Sequence, residues 1–550
     1  MTATTKVPAL GAEGWFTPDD PEPALLGLQC QACGTYVFPK ADFGCPNPAC
    51  ASTDFDEVRL SRFGTVWSYT DARYQPPSPY VVPTEEHEPF CIAAVELAEE
   101  GLVIMGQVVA GVAVDDLRVG QRMELVVDTL YVDDHAEHLI WTWKPVAEEQ
   151  PDGQQRGRRP RRRHAPVGQV GTQLRRVRRR RSARRAAHAG IAWSDVQFVS
   201  GADTMRNGYP GYVSGATFAQ ALGWTGARVA SSYAACASGV TALEAARTRI
   251  LAGLCDVALV VGADTTPKGF LAPNSGDRPT DPDWLRFRLL GATNPTYFAL
   301  AARRRMDLYG ATSEDFAKVK VKNSGNGLTN PYARYQKAYT VEDVLASPMV
   351  ADPLHLFEIC ATSDGGAAVV LSSMEFAARH AGSAGSPVRV SAVSTVTPTY
   401  PNTIIDLPDM ATDSTAVVAR SERTFKQSIA HAAYEEAGIG PDELSLAEVY
   451  DLSTALELDW YEDIGLCKQG EAERLINDGD TNIGGRIPVN PSGGLACFGE
   501  AVPAQAIAQI CEVTWQLRGQ ATGRQVEGAT SGITANQGLF GHGSAVLLRR

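Results

Sequence analysis

Four cysteines fix the geometry of one end of this chain before anything else is known about it. In LQCQACGTYVFPKADFGCPNPAC, Cys30, Cys33, Cys45 and Cys50 follow a C-x2-C-x11-C-x4-C spacing. Two close pairs on short knuckle turns converge into a tetrahedral set of four thiolates, the geometry a structural Zn2+ takes. All four positions are filled by protein sulfur, so such a site holds a fold together and leaves no opening for catalysis. Two disulfides are the competing use of the same residues, and the paired spacing favours metal.

The other seven of the eleven cysteines stand singly in apolar or catalytic-looking contexts, which fits reduced thiols in a reducing compartment. With 550 residues the chain exceeds a single core, since cores stop growing near 250–300 residues, and two or three domains are expected. A composition of 44% hydrophobic and 21% charged residues is that of a soluble globular protein. There is no uninterrupted apolar run of about 18 residues. The opening MTATTKVPAL lacks the basic-then-apolar layout of a secretion signal. A cytoplasmic protein that neither spans nor binds a membrane is therefore expected.

After the cysteines come short β-branched and aromatic runs punctuated by Gly and Pro: Gly64-Thr65-Val66-Trp67-Ser68-Tyr69, CIAAVEL, LVIMGQVV, MELVVDTLYV and LIWTWKPV. Evenly spaced short strands without helix-length segments predict a small closed β-barrel. This region, about 20–147, resembles the DUF35 family, a rubredoxin-like zinc ribbon (20–56) followed by an OB-fold (57–147). OB-folds often bind nucleic acid, but this barrel carries Glu85, Glu86, Glu88, Asp133, Asp134 and Glu137. The acidic surface argues against a phosphate backbone as partner. The resemblance implies an acyl-CoA or protein-docking role instead.

The net charge of −13 hides a local asymmetry: residues 151–190 hold fourteen arginines against one acidic residue, Asp152, leaving about −26 on the rest. Taken literally, 148–189 is a self-repelling linker. A second explanation is a frameshift that has recoded part of the following domain. Chains of the family that the residues beyond 190 resemble, as set out below, begin with a buried strand and helix, and no such segment precedes AGIAWSDVQFVSGAD. With that first strand expected in the middle of its sheet, its loss costs more than the roughly 5–15 kcal/mol a domain has in hand.

Beyond 190 strands and helices alternate. VQFVSGAD, a helix near 214–222, VASSYAACASG, the helix VTALEAARTRILAGL and the strand VALVVGADT form one run. VRVSAVST, TFKQSIAHAAYEEAGI, LAEVYDLST, a Gly-rich loop and the terminal SAVLLRR form a second. Two α/β halves, 190–385 and 386–550, with an insertion at 270–355, predict a layered α/β fold. The motifs Ala235-Cys236-Ala237-Ser238-Gly239, Thr362-Ser363-Asp364-Gly365-Gly366, Asn490-Pro491-Ser492-Gly493-Gly494 and the closing loop from Gly538 to Gly543 resemble those of the thiolase fold. The insertion's Trp284, Phe287, Tyr297 and Phe298 either line a bulky apolar pocket or fill core.

A cysteine at a helix N-terminus gains thiolate character, and in thiolases the residue matching Cys236 is the acyl-accepting nucleophile. Thiolase chemistry also needs a histidine to take the thiol proton and a second cysteine to shuttle one to the carbanion. Where sterol-carrier-type thiolases have His-Asp-Cys-Phe, this chain has Tyr450-Asp451-Leu452-Ser453. Where they have Gly-His-Pro it has Gly499-Glu500-Ala501, and its closing loop NQGLFGHGSA offers only His542 as a titratable group.

A phenol and a carboxyl in place of those groups suit removal of a proton from a substrate hydroxyl and stabilisation of an enolate, the two events of retro-aldol cleavage. The pattern resembles the lipid-transfer-protein-like aldolases of bacterial steroid side-chain degradation (the Ltp2 type). These work with a DUF35 partner and split a 17-hydroxy steroid acyl-CoA into a 17-ketosteroid and propionyl-CoA. The resemblance implies catalytic roles for Tyr450 and for Tyr400 in TPTYPNT, with Glu500, His542 and Cys236 as further candidates. Gly493, Gly494, Gly541 and Gly543 either permit close backbone approach to a CoA thioester arm or serve tight turns alone, and the resemblance implies a homodimer through the thiolase-like body and a hydratase as partner. An acyltransferase using Cys236 and a non-catalytic acyl-CoA or lipid carrier are the competing functions.

Overall fold

The computed structural model describes all residues except 1–4, 41–43, 84–85, 147–189, 204–213, 265–275, 381–386, 401–422 and 539–540. The Arg-rich run and its frameshift expectation thus lie outside the described residues. Strand β1 (Thr5–Pro8) precedes a three-stranded ribbon of β2 (Leu26–Cys30), β3 (Tyr36–Val37) and β4 (Phe55–Arg59), ordered β3-β2-β4. Five further strands follow: β5 (Phe63–Ala72), β6 (Phe90–Leu97), β7 (Leu102–Val108), β8 (Arg122–Val132) and β9 (Ala136–Pro145). Pairing of β8 with both β5 and β9 closes them into the expected barrel, and β1 adds to β9 in parallel. The period-two alternation of β9 turns Trp141 and Trp143 inward, where both are fully buried. Gly106 is required beneath them, because a Cβ there would stand 2.8 Å from the Trp143 ring.

The body contains two sheets with the same connectivity. In the first, β10 (Phe198–Ala202) pairs in parallel with β11 (Arg228–Ser232) and β12 (Val257–Asp264). After the short hairpin β13 (Met349–Ala351) and β14 (Leu354–His355), β15 (Gly365–Ser372) returns antiparallel to β12. In the second sheet, β17 (Leu446–Val449) is flanked in parallel by the bridge residue Val489 and by β18 (Ser531–Gly538), and β19 (His542–Arg549) runs antiparallel to β18. This sheet has one strand more, β16 (Arg389–Val396), which pairs antiparallel with β19 at the sheet's edge.

That edge position corrects the expectation of a central first strand. β10 hydrogen-bonds directly to β12, leaving no gap between them, so the counterpart of β16 belongs outside β15. Losing it exposes an edge rather than splitting a sheet.

Helices Ser238–Leu251 and Gln505–Leu517 follow equivalent strands and pack on one another, so closely that a Cβ at Gly239 would stand 2.9 Å from Ile507. Helix Phe425–Ala437 covers the second sheet; it starts where Thr424 accepts from the Gln427 N–H and stops at Gly438, whose φ is 65°. The insertion's Trp284, Phe287, Tyr297 and Phe298 are buried and fill core. It also carries the barrel: Ser68 Oγ donates to the Leu300 carbonyl at 2.8 Å, and Tyr74 OH to Thr293 Oγ1 at 2.7 Å. Among the described residues no helix is long and apolar enough to cross a membrane.

Candidate active site and metal centre

β17 ends at Val449, and Ser453 caps the next helix, Thr454–Asp463, by accepting from the Leu456 N–H. Tyr450-Asp451-Leu452 is therefore a strand-to-helix turn. The Trp460 indole N–H donates to the Tyr450 carbonyl at 3.1 Å and holds the turn from behind.

Glu500 arrives from another direction. Its N–H donates to the Ala361 carbonyl at 2.6 Å, and its own carbonyl accepts from the Ser363 N–H at 2.9 Å. The segment before Gly365 thus runs beside Gly499-Glu500 as a short parallel bridge. Gly499 has φ 71°, and a Cβ there would meet the Ala361 carbonyl oxygen at 2.8 Å.

Cys236 sits one residue before the N-cap Ala237 of helix Ser238–Leu251. The turn is held by Ser238 Oγ, which donates to the Ala235 carbonyl at 2.6 Å and accepts from the Ala234 N–H at 2.9 Å. Ala235 is in the left-handed region at φ 47°, a strained conformation for a residue with a Cβ.

These three segments converge on one carboxylate oxygen. Tyr450 OH donates to Glu500 Oε1 at 2.6 Å, and Cys236 Sγ donates to the same oxygen at 3.2 Å. Relative exposures are 2% for Tyr450, 3% for Glu500 and 4% for Cys236. Burial, with the neighbouring Cys236 and Glu500 charges, holds the Tyr450 phenol well above its ordinary range, so it stays protonated at neutral pH. Beside it, burial and the Glu500 charge raise the Cys360 thiol as well. No residue pattern singles Cys360 out; only its place just before Thr362-Ser363-Asp364 marks it.

A buried polar scaffold fixes the turn. Asp451 accepts from the Leu495 and Ala496 N–H groups at 2.7 and 3.1 Å, and Asn323 donates to it at 3.1 Å. Burial, then the charge of Glu457, pushes its carboxyl up to about 8. Glu457 is paired with Lys322 at 2.8 Å and accepts from Asn490 at 2.9 Å, while Asn490 Oδ1 accepts from the Val449 N–H at 2.8 Å. Asn490 and Asn323 are positioning residues that the sequence did not reveal as a network.

His542 opens β19 with an exposed side chain, and its pairing partner Gly538 packs against the Ala234 carbonyl beside Cys236. Tyr400 is half-buried in a turn next to 401–422, which lie outside the described residues. A Cβ at Gly494 would stand 2.4 Å from Asp451 Oδ2, one at Gly493 2.8 Å from Gly327, and one at Gly543 2.2 Å from Ile429. Packing within the chain thus requires these three glycines; Gly541 has φ 80° in the turn before β19. A cavity of about 1010 Å³ touches Gly499 and Ala501 on either side of Glu500 and runs past Arg334, Gln505 and Trp515.

In the ribbon, the sulfurs of Cys30, Cys33, Cys45 and Cys50 lie within 4.8 Å of one another. Cys33–Cys45 and Cys30–Cys50 separations are 3.4 and 3.8 Å. A tetrahedral ion with bonds of about 2.3 Å requires sulfurs about 3.8 Å apart, so the four thiols fit Zn2+. A hydrogen bond from the Thr35 hydroxyl lowers Cys33 to about 6, toward the thiolate a metal needs, while burial pushes Cys45 up to about 12.

Comparison with known proteins follows the same division. A thiolase C-terminal domain-like model matches 410–549, a β-ketoacyl synthase N-terminal domain model matches 182–277, and the C-terminal OB-fold domain of ChsH2 matches 57–128. Sterol carrier protein 2 of Rattus norvegicus is 33% identical over 335 residues, covering 60% of this chain and 59% of that protein. The chain thus spans little more than half the length of that relative. An acetyl-CoA acetyltransferase of Methanothermobacter thermautotrophicus is 37% identical over 314 residues, 57% of this chain and 77% of the enzyme. A solved Ltp2-ChsH2(DUF35) aldolase superposes with a TM-score of 0.56 at 28% identity, covering 69% of this chain and 93% of that one.

Proposed function

We propose, from the premise that this chain belongs to the thiolase family, that it cleaves a carbon–carbon bond in a β-hydroxyacyl-CoA by retro-aldol chemistry. One observation carries the reading: Glu500 Oε1 collects the Tyr450 phenol and the Cys236 thiol where a thiolase has imidazole chemistry. A carboxylate that holds both groups as donors favours acid–base work over freeing a thiolate nucleophile. The likeness to an Ltp2-ChsH2(DUF35) aldolase supports the same reaction class.

In this reaction the substrate hydroxyl gives its proton to the Tyr450 oxygen as the phenol passes its own to Glu500. The Cα–Cβ bond breaks with its electron pair going to Cα, and the Cβ–O unit becomes a carbonyl. The thioester enolate then takes a proton at Cα from the Glu500 carboxyl, which restores the starting state without a co-reactant. General acid–base assistance of this kind contributes about 10²–10⁴-fold.

The substrate we infer is a 17-hydroxy steroid side-chain CoA thioester, with a 17-ketosteroid and propionyl-CoA as products. Tyr400 and His542 are proposed auxiliaries, and Gly493, Gly494, Gly541 and Gly543 are proposed to let the backbone approach the thioester arm. Zn2+ is the proposed structural ion of the ribbon. A cytoplasmic homodimer and a hydratase supplying the hydroxyacyl-CoA complete the proposal; the first sheet ends on β11, whose outer edge is unpaired among the described residues.

A second reading, acyl transfer through Cys236, has the strained Ala235 turn and the helix N-terminus in its favour. Incubation with a steroid 17-hydroxyacyl-CoA separates the two and also tests the carrier role: ketone and propionyl-CoA formation supports the aldolase, acyl-enzyme at Cys236 the acyltransferase, and binding without turnover the carrier.

A further inference from the structure

Helix Gln505–Leu517 begins five residues after Glu500 and lays one face, carrying Gln505, Gln509 and Glu512, along the cavity of about 1010 Å³ beside Glu500. All three side chains are buried. The neighbours of Gln505 in this lining are paired within the chain. Glu512 is bonded to Arg524 at 2.7 Å, Gln509 Oε1 accepts from Asn536 at 2.6 Å, and Glu448 accepts from the N–H and the hydroxyl of Ser492 at 3.0 and 2.7 Å. Gln505 is only 5% exposed, yet neither its side-chain oxygen nor its side-chain nitrogen meets a partner among the described residues. A buried amide with both ends unpaired costs stability, and a group entering the cavity is what can pair it.

The lining narrows what that group is. Leu495, Phe498, Ala501, Ala504 and Ala508 supply apolar wall. Among the described residues Arg334 is the one basic residue of the lining, and it already donates to the Thr362 carbonyl. A phosphate or carboxylate would meet Glu448 and Glu512 with no cation to spare, whereas a neutral oxygen on an apolar frame meets apolar wall and one amide.

We propose that Gln505 is a specificity-determining residue, whose amide hydrogen-bonds a neutral oxygen, a ketone or a hydroxyl, carried by the acyl group away from the bond that breaks. The proposal rests on the reading of this cavity as the seat of a β-hydroxyacyl-CoA. A ketone accepts from Nε2, and a hydroxyl accepts from Nε2 or donates to Oε1. An acyl group without such an oxygen leaves the amide unpaired. Sites built to bond a polar group reject analogues that lack it far more strongly than they sort hydrocarbon by size.

Three steroid β-hydroxyacyl-CoA substrates that differ only in carrying a ring ketone, a ring hydroxyl or neither test the proposal on the full-length protein. We expect kcat/KM to be about ten-fold or more higher for an oxygenated substrate than for the plain one. In Gln505→Met, which keeps side-chain length and removes both polar atoms, that preference is expected to fall below about three-fold while the plain substrate keeps its wild-type kcat/KM, an outcome that a merely structural role does not give. Kd values for the same three acyl groups without the β-hydroxyl, which cannot be cleaved this way, are expected to show the same preference and the same collapse. They separate the proposal from the reading beneath it: preference in Kd with no cleavage of any substrate sinks the retro-aldol reading and keeps the role of Gln505, and cleavage without preference does the reverse. Equal Kd values in the wild type, no binding of any of the three, or a preference that survives Gln505→Met overturns the proposal. Should that variant fail to fold, Gln505→Ala takes its place with the same expected and overturning results.

Discussion

Replacing Glu500 by Gln removes a negative charge and little volume, so it isolates the role assigned to that carboxylate. Two donors lose their shared anionic acceptor: Tyr450 OH at 2.6 Å and Cys236 Sγ at 3.2 Å. Hydrogen bonds to charged groups are worth about 1.5–3 kcal/mol each. Against this, a carboxylate only 3% exposed no longer has to be desolvated, at several kcal/mol per buried ion. The two terms offset, and the folding free energy is expected to change by about 1 kcal/mol or less. The amide oxygen still accepts from Tyr450 but takes up no proton, so the proton route from the substrate hydroxyl is cut. Loss of a general base costs about 10²–10⁴-fold in kcat, or roughly 2.7–5.4 kcal/mol of barrier. The assay is single-turnover cleavage of a β-hydroxyacyl-CoA followed by ketone release, with urea unfolding as the control for folding. A kcat within ten-fold of wild type at unchanged stability refutes the assignment of Glu500 as the proton acceptor.

Other perturbations bear on the scaffold. Stripping the ribbon with a strong chelator is expected to release one Zn2+ per chain by metal analysis, and Cys33→Ser is expected to abolish that release, because a closed four-thiolate site has no ligand to spare. Gly494→Ala drives a Cβ to 2.4 Å from Asp451 at φ 60° and is expected to cost about 1–3 kcal/mol in urea unfolding. Arg305→Ala leaves Asp459, Glu462 and Glu473 around a vacated site and is expected to cost about 3–5 kcal/mol by the same measurement. Asp451, pushed up to about 8, contributes stability that is full below the unfolded value near 3.9 and is lost as pH rises through about 8. Asp451→Asn is expected to flatten that part of the pH dependence of unfolding.

The parts of the molecule that show in its sequence are those whose chemistry dictates a spacing or a period. The cysteine quartet at 30, 33, 45 and 50 is one, and the alternation that buries Trp141 and Trp143 is another. Tyr450 and Glu500 were visible as substitutions in two motifs fifty residues apart, and the fold brings them to one hydrogen bond. Asn490 shows in the sequence only as the first residue of a Gly-rich motif, and Asn323 and Cys360 give no signal: an amide or thiol acquires a role only from neighbours that distant segments supply. The β1 strand adds a parallel pairing that a four-residue TKVP run does not announce. The first strand of the body was misplaced because a buried strand reads as central, whereas hydrogen-bond partners, which no composition reveals, put its counterpart β16 at an edge. Direct sequencing of residues 151–189 by mass spectrometry of the native protein decides between an arginine-rich segment and a recoded one; arginine-rich tryptic ends support the arginine-rich segment.

The central claim is that this thiolase-family site breaks a carbon–carbon bond through Tyr450 and not through a thioester on Cys236. The measurement that reaches it most directly is propionyl-CoA release from a steroid 17-hydroxyacyl-CoA by wild type, Cys236→Ala and Tyr450→Phe. Release by wild type and Cys236→Ala is expected, with a loss of about 10²-fold or more in Tyr450→Phe. Activity that survives in Tyr450→Phe and vanishes in Cys236→Ala contradicts it.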